Sequence, residues 1–188
     1  MCMCSEHIRR IRTVICSAAD GRLSSLISEK KMKIDVVEFE EKYMDGALEI
    51  MHETNSLHIE NAPDFFAKIG KDGARPYLEW VLSDKRTFGY VALADGQAAG
   101  LLTAEEQYRK GEIFKVKHYY EILDIAVGQN YQKLGIGRKL HQKLVARAKT
   151  QKICQIELQV FEFNRSAMSF YKKLNYKEIS RTMGFEVK

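Results

Sequence analysis

The amino-acid sequence predicts a single α/β domain. Segments whose apolar residues alternate with polar ones, as in strands, are interleaved with segments whose apolar residues recur every three or four positions, as in helices. The clearest helix covers residues 135–150, where Ile136, Leu140, Leu144 and Ala148 are four positions apart. A chain of 188 residues that is 45% apolar is long enough to bury a core of its own.

The first half of this domain is predicted to combine strands, helices and a hairpin. Ala47, Leu48 and Met51 have helical spacing, and Pro63 favours a helix start because proline suits the first helical turn. Asp95-Gly96 lies between two apolar runs and is a strong signal for a tight hairpin. In order, we expect a strand at 33–39, helices at 41–60, 63–70 and 75–84, and strands at 87–93 and 98–103.

The second half is predicted to alternate strands with helices. The apolar residues of 153–161 alternate with glutamines and a glutamate, which indicates a strand with one wet face. Cys154 belongs to the apolar set of that strand, so we expect it in the core rather than in a covalent reaction. In order, we expect a strand at 113–127, helices at 135–150 and 164–174 on either side of the strand at 153–161, and one or two closing strands at 176–187.

The net charge of +5 is concentrated at the start of the chain. Residues 1–31 carry six basic and three acidic side chains, which leaves only +2 for residues 32–188. That nearly balanced part has no evident basic face with interleaved aromatic residues, so no nucleic-acid partner is expected. Met32 is followed directly by a strand pattern, so we interpret 1–31 as a leader or tail outside the native domain; the alternative is a mobile basic arm.

Cysteine usage and hydropathy predict a cytoplasmic protein. Cys154 is the only cysteine outside the first 16 residues, so the domain has no disulfide framework. The pair Cys2 and Cys4 lacks a second pair or a histidine cluster, and no metal is expected. No apolar run approaches the length of a membrane-spanning helix, so no membrane association is expected.

The most informative segment is a glycine-containing loop that leads from a strand ending at Val127 into a helix opened by Gly135 and Gly137. A helix start exposes unpaired N–H groups and the positive end of the helix dipole, and glycine lets an anion approach the backbone. The loop therefore predicts a diphosphate site. It is not a P-loop, because Arg138-Lys139 stands where Lys-Ser/Thr is required, and it lacks the third glycine of a Rossmann fingerprint.

Two motifs, in this order along the chain, resemble those of the GCN5-related N-acetyltransferase (GNAT) superfamily. They are Gln132-x-x-Gly135-x-Gly137, between a strand and a helix, and Asn164-x-x-Ala167-x-x-x-Tyr171 in the next helix. Asn175-Tyr176 stands where the family usually has Gly-Phe, and asparagine also tolerates the left-handed conformation of a helix cap. The resemblance covers most of 33–188 in element order and implies a mixed, mostly antiparallel central sheet flanked by helices.

The resemblance implies that acetyl-CoA is the cosubstrate. Its pyrophosphate would bind the amides of the glycine loop, and the strand end before the loop would pair with the pantetheine arm and polarise the thioester. Asn164 would contact pantetheine, although a plain helix cap is the alternative role for this side chain. The residues implied to bind the cofactor are Ile125, Ala126, Val127, Gln132, Lys133, Leu134, Gly135, Ile136, Gly137, Arg138, Asn164 and Tyr171.

Two catalytic residues follow from the same resemblance. Tyr171 would protonate the departing thiolate, since a tyrosine is neutral at pH 7 and has a proton to give. Glu121, eleven residues before Gln132, matches the position of a glutamate base that would take the proton of the acceptor ammonium. Asp124 or a water chain is the alternative base; on a regular strand Asp124 faces away from Glu121, but a bulge could bring the two together.

The expected function is N-acetyl transfer from acetyl-CoA to a primary amine by direct attack in a ternary complex. The acceptor, a small molecule or a protein amine, cannot be read from the sequence. A non-catalytic acyl-CoA-binding module is the alternative. Members of this superfamily often pair through sheet edges or terminal strands, so the resemblance is compatible with a homodimer.

Overall fold

A five-stranded sheet forms the centre of the protein in the computed structural model, which describes residues 32–116, 118–185 and 187. The strands lie in chain order, and every neighbouring pair is antiparallel except the last, which is parallel. The strands are β1 (Ile34–Glu38), β2 (Thr87–Ala94), β3 (Gln97–Tyr108), β4 (His118–Val127) and β5 (Ile156–Leu158).

Helices cover both faces of this sheet. They are α1 (Met44–Asn61), α2 (Arg75–Ser83), α3 (Ile136–Thr150) and α4 (Arg165–Lys173), with 3₁₀ turns at Glu41–Tyr43 and Gln129–Tyr131. The first two helices pack on one face, where Leu48, Leu78 and Leu101 are almost completely buried. On the other face α3 buries Leu140 and Leu144 against Leu102. The predicted α/β class, with a mostly antiparallel sheet flanked by helices, is confirmed.

Local sequence signals place several elements accurately. Asp95 and Gly96 both have positive φ, 47° and 87°, and connect the directly paired residues Ala94 and Gln97. A two-residue loop with two positive φ angles has the twist that a tight hairpin needs, so the predicted hairpin forms where it was expected. The long amphipathic helix runs from Ile136 to Thr150, as its four-residue spacing predicts.

A bulge in β4 determines the geometry of the site described below. Thr103 of β3 pairs with Asp124, and the next residue Ala104 pairs with Ile122, so Leu123 is an extra residue without a partner. A bulge bends its strand and increases the local twist. The parallel ladder between β4 and β5 covers only three pairs and ends at Ile122 and Leu158, so the two strands separate beyond the bulge.

Three predicted elements are shorter than expected or are replaced by a turn. The helix expected at 63–70 is only a turn: the amides of Phe65 and Phe66 both donate to the carbonyl of Ala62. A helix this short needs a buried face to offset the cost of nucleation, and Phe65 is 79% exposed. The strand expected at 113–127 begins only at His118. The strand expected at 153–161 is reduced to β5, because its ladder with β4 ends where β4 bends away.

The closing strands expected at 176–187 are not formed by the described residues of that segment. The apolar residues that suggested them are exposed, Ile179 by 67% and Met183 by 93%. Strand propensity reflects packing against a neighbouring strand, and these residues have no such neighbour among the described ladders. Residues 1–31, interpreted above as a leader or tail, lie outside the described residues. Among the described residues, no helix combines the length and apolar character needed to cross a bilayer.

Candidate active site

The ladder between β4 and β5 ends at Ile122 and Leu158, so the last residues of β4 lie at a strand edge that β5 leaves unpaired, which we call the cleft. The amide of Gly128 donates to the carbonyl of Ala99 on β3. Because N–H groups alternate in direction along a strand, the amides of Val127 and Ile125 point the other way, toward the open edge. This edge therefore presents hydrogen-bond donors that β5 does not use.

An anion-binding concavity follows the cleft at the start of α3. Lys133 and Gly135 both have left-handed backbone, with φ of 63° and 79°, and Gly135 is the residue that begins the helix. Alternation of left- and right-handed residues turns successive amides to one side and forms a nest for an anion. The amides of residues 136–138 lie in the first turn of α3, where no preceding helical carbonyl can accept from them.

The glycine loop also has open space above it. A side chain at Gly135 would meet no atom within 4 Å, whereas one at Gly137 would lie 3.3 Å from the ring of Phe170. Gly137 therefore permits close contact between α3 and α4, while Gly135 supplies the left-handed turn. The donors, the helix dipole and the neighbouring Lys133 and Arg138 fit the diphosphate of a nucleotide cofactor.

The start of α4 is fixed by Asn164. Its side-chain Oδ1 accepts a hydrogen bond of 3.0 Å from the amide of Ala167, which is the geometry of a helix N-cap. The alternative role named for this residue is therefore present in the structure. Its side-chain amide group remains a donor that a ligand could use.

Tyr171 lies on the inner side of α4 and is 8% exposed. Its ring lies 5.3 Å from that of Phe170 and 5.4 Å from that of Tyr176. Burial, with smaller contributions from Tyr176 and Asp124, raises the pKa of the Tyr171 hydroxyl above its usual value. The phenol is therefore protonated at every physiological pH, as a proton donor must be.

Asp124 of β4 is half-buried and is held by a tyrosine that sequence reasoning missed. The hydroxyl of Tyr77 on α2 donates to Asp124 Oδ2 at 2.6 Å and lies 2.6 Å from the hydroxyl of Thr103. Burial raises the pKa of Asp124, while the hydrogen bond from Tyr77 and the charge of His58 oppose that rise. Asp124 is thus a fixed carboxylate close to both Tyr171 and the end of α1.

The bulge places Glu121 on the same face as Asp124, which a regular strand would not do. Thr103 faces Tyr77 on α2, and Glu105, two residues further along β3, shares that face. Glu121 is directly opposite Glu105 and therefore also faces α1 and α2. Leu123 is the residue that changes the alternation between Glu121 and Asp124.

Three glutamates form a row across neighbouring strands. Glu105, Glu121 and Glu157 are paired in register from β3 to β5. Arg86 forms an ion pair with Glu105 at 2.9 Å and Arg109 with Glu157, whereas no ion pair of Glu121 is found among the described residues. Burial, followed by the charges of Glu105 and Glu157, raises the pKa of Glu121.

Other polar side chains of this sheet and its helices take different positions. Glu53 of α1 accepts a 2.9 Å hydrogen bond from the amide of Gln129 and so fastens the loop before the nest. His118 pairs with Glu106 at 2.5 Å at the far end of β4. Cys154 is exposed and precedes β5, so the expectation that it is a core residue was wrong. The described residues contain no group of three or more His, Cys, Asp or Glu side chains that could hold a metal ion.

The structure thus brings most of the predicted residues together at the end of β4. The open amides lead directly into the nest, Tyr171 is buried on α4, and Glu121 lies one residue before the end of the ladder between β4 and β5. Tyr77 and Thr103 had no distinguishing sequence signal, because their role arises from contacts between α2, β3 and β4.

Comparison with known proteins agrees with this arrangement. Streptothricin acetyltransferase A of Bacillus subtilis is 33% identical over 107 residues, covering 55% of this chain and 60% of that protein. The curated relatives that it matches first are covered over only 60 to 62% of their length.

Solved structures share the fold at low sequence identity. A tetramutant of the BH1408 protein from Bacillus halodurans has a TM-score of 0.73 at 16% identity, covering 81% of this chain and 99% of that one. The aminoglycoside N-acetyltransferase AAC(6')-Iy in complex with CoA has a TM-score of 0.63 at 13% identity, covering 84% and 96%. A family model described as the acetyltransferase (GNAT) family matches residues 54–176, more than half of the chain. The chain therefore belongs to the acetyltransferase (GNAT) family.

Proposed function

We propose that this protein transfers an acetyl group from acetyl-CoA to a primary amine by direct attack in a ternary complex. The observation that supports the proposal is the end of the ladder between β4 and β5, because it leaves strand amides unpaired directly before the anion nest. An acetyl donor with a diphosphate at one end and a thioester at the other matches that order of groups. Acetyl-CoA supplies an activated acyl group on a thiol leaving group.

The chain's own groups have distinct roles in binding the donor. The amides of Gln132 to Arg138 hold the diphosphate, and the positive end of α3 strengthens this contact. The amides of Ile125 and Val127 bond the pantetheine arm and donate toward the thioester oxygen, where negative charge develops during attack. AAC(6')-Iy, which shares the fold, is described in complex with CoA.

Tyr171 acts as the general acid. Its hydroxyl is protonated because burial raises its pKa, and it donates this proton to the sulfur as the carbon–sulfur bond breaks. The attacking nitrogen gives up its remaining extra proton as the amide forms, which restores the tyrosine hydroxyl, and the products are the acetylated amine and the free thiol of CoA.

Two carboxylates on the acceptor side have different roles in preparing the amine. Asp124, fixed by Tyr77, binds the ammonium group next to the cleft. Glu121 takes a proton from it, directly or through one water, and leaves a lone pair free to attack. Glu121 suits this role because burial and the charges of Glu105 and Glu157 raise its pKa.

Thiol release from acetyl-CoA across a panel of amines tests the function. We expect CoA release that depends on the amine, forms the acetylated product and falls sharply in Tyr171→Phe. Binding of acetyl-CoA without turnover of any amine would instead support the non-catalytic acyl-CoA-binding module.

A pair of variants tests the two carboxylates. We expect Asp124→Asn to raise KM for the amine, and Glu121→Gln to lower kcat and remove the acidic limb of the kcat/KM profile. If Asp124→Asn alone removed that limb, the two assignments would have to be exchanged.

A further inference from the structure

An aromatic cluster that the proposed chemistry does not use lies beside Asp124. It consists of His58 near the end of α1, Phe65 and Phe66 in the turn that follows, and Phe161 and Phe163 after β5. The His58 ring lies 5.0 Å from Phe66, 6.2 Å from Phe161 and 5.8 Å from Phe163. Further contacts join Phe161 to Phe65 at 6.3 Å and to Phe66 at 5.1 Å.

The position of this aromatic cluster relates it to the cleft. Phe161 and Phe163 follow the strand that diverges from β4, and His58 belongs to the helix that packs on the Asp124 face. The His58 ring contacts Phe161 and Phe163, so the cluster joins the end of α1 to the segment after β5 and flanks the strand edge that carries Asp124. The charge of His58, which also acts on Asp124, is consistent with this position.

The aromatic cluster leaves ring surface open to solvent. Phe65 is 79% exposed and Phe161 is 42% exposed, although both contact other rings. Contiguous exposed aromatic surface marks a binding region more often than scattered apolar residues do. The nearest charged groups at this surface include Glu162, which is already paired with Arg165 at 2.8 Å.

We infer that the acceptor is a primary amine that carries an aromatic or similarly flat apolar group a few bonds from its nitrogen. Its ammonium binds Asp124, and its apolar group packs against Phe66, Phe161 and Phe163. Asp124 next to an aromatic wall matches a cation joined to an apolar body. An acceptor without such a body, such as a linear diamine, would leave the exposed rings uncovered. This inference rests on the proposed function and names its substrate class.

The test compares two amines of similar reach, 2-phenylethylamine and 1,4-diaminobutane, in the acetyl-CoA thiol-release assay with the full chain. We expect kcat/KM to be higher for 2-phenylethylamine. Removing the Phe161 ring in Phe161→Ala is expected to lower kcat/KM for 2-phenylethylamine roughly ten- to hundredfold, as loss of a buried aromatic contact does. For 1,4-diaminobutane the same variant should change kcat/KM by less than about threefold, because its chain buries little area on the ring.

Phe114→Ala is the matched control. Phe114 is 39% exposed, close to the exposure of Phe161, and it contacts Arg109 rather than a ring of the aromatic cluster. This variant should leave both amines unaffected. Phe65→Ala, at a more exposed ring, provides a second variant with little risk to folding and should weaken 2-phenylethylamine selectively.

Two results separate the inference from the function on which it rests. A wild-type preference for 1,4-diaminobutane, or an equal loss for both amines in Phe161→Ala, overturns the acceptor class and leaves acetyl transfer intact. Absence of acetylation with every amine, while acetyl-CoA still binds, overturns the proposed function itself.

Discussion

Replacement of Glu121 by glutamine is expected to make the protein more stable at neutral and alkaline pH while it loses activity. In the folded state the pKa of Glu121 is raised by burial and by Glu105 and Glu157, so its charged form opposes folding. The favourable contribution of Glu121 to the free energy of unfolding is complete below about pH 4.3, the usual pKa of glutamate. It is lost as the pH rises through the raised pKa of the folded state. Glutamine keeps the shape and removes the charge.

The magnitude follows from the register of the sheet. Neighbouring strands lie about 4.8 Å apart, and like charges directly opposite each other cost roughly 0.2–1 kcal/mol per pair. Glu121 has two such neighbours, but Arg86 and Arg109 partly neutralise them. Because exposed charges are screened, we expect a net gain of about 0.5–1 kcal/mol at pH 8. For a domain of this size that corresponds to an increase in Tm of about 1–4 °C.

Thermal unfolding of wild type and Glu121→Gln at pH 8 and near pH 4.5 measures this effect. The gain should be present at pH 8 and shrink toward the lower pH. Glu105→Gln is the control, because Glu105 is buried and paired with Arg86, and its replacement should lower Tm at pH 8. A loss of stability in Glu121→Gln equal to that of Glu105→Gln would refute the reasoning from the glutamate row.

Four other substitutions have expected outcomes. Tyr171→Phe should lower kcat about a hundredfold or more with unchanged Kd for acetyl-CoA, and full kcat under chemistry-limited turnover would contradict the acid role. Tyr77→Phe removes the donor that lowers the pKa of Asp124, so KM for the amine should rise most at acidic pH. A change in KM that does not depend on pH would contradict the role of Tyr77 in keeping Asp124 ionised. Gly135→Ala should lower the free energy of unfolding by about 1–2 kcal/mol, because Gly135 has a φ of 79°, and should weaken acetyl-CoA binding. Urea unfolding measures the first effect and a binding titration the second, and both should be smaller in Gly135→Asn. Leu144→Ala, at a fully buried position, should cost about 2–5 kcal/mol in urea unfolding, and a cost under about 1 kcal/mol would contradict the packing described for α3.

Features decided by neighbouring residues could be predicted from the sequence. Asp95-Gly96 makes its turn through the φ angles of two adjacent residues, and Asn164 caps α4 through a bond to an amide three residues away. The four-residue spacing in α3 reports directly on which side of the helix is buried. The nest at Gly135 belongs to the same class, because glycine identity and helix start are both local.

Features that depend on pairing between distant segments could not be predicted. The end of the β5 ladder at Leu158 depends on where β4 bends, and nothing within residues 153–161 reports that bend. The hydrogen bond from Tyr77 to Asp124 joins residues 47 positions apart, and the contact of His58 with Phe161 spans about twice that separation. The sequence left open whether Glu121 or Asp124 is the general base for the same reason, because pairing with β3 decides where the bulge forms.

The unpaired Leu123 makes this site sensitive to the number of residues in the strand rather than only to their identity. Deleting that one residue would leave the flanking pairs, Ala104 with Ile122 and Thr103 with Asp124, in regular register, so each side chain would keep its face. The bend and the added twist of the bulge would be lost, and the end of β4 would then continue straight beside β5 with its amides no longer turned toward an open edge. Replacing Leu123 with another residue preserves the count, so length variation at this point should be far more damaging than substitution.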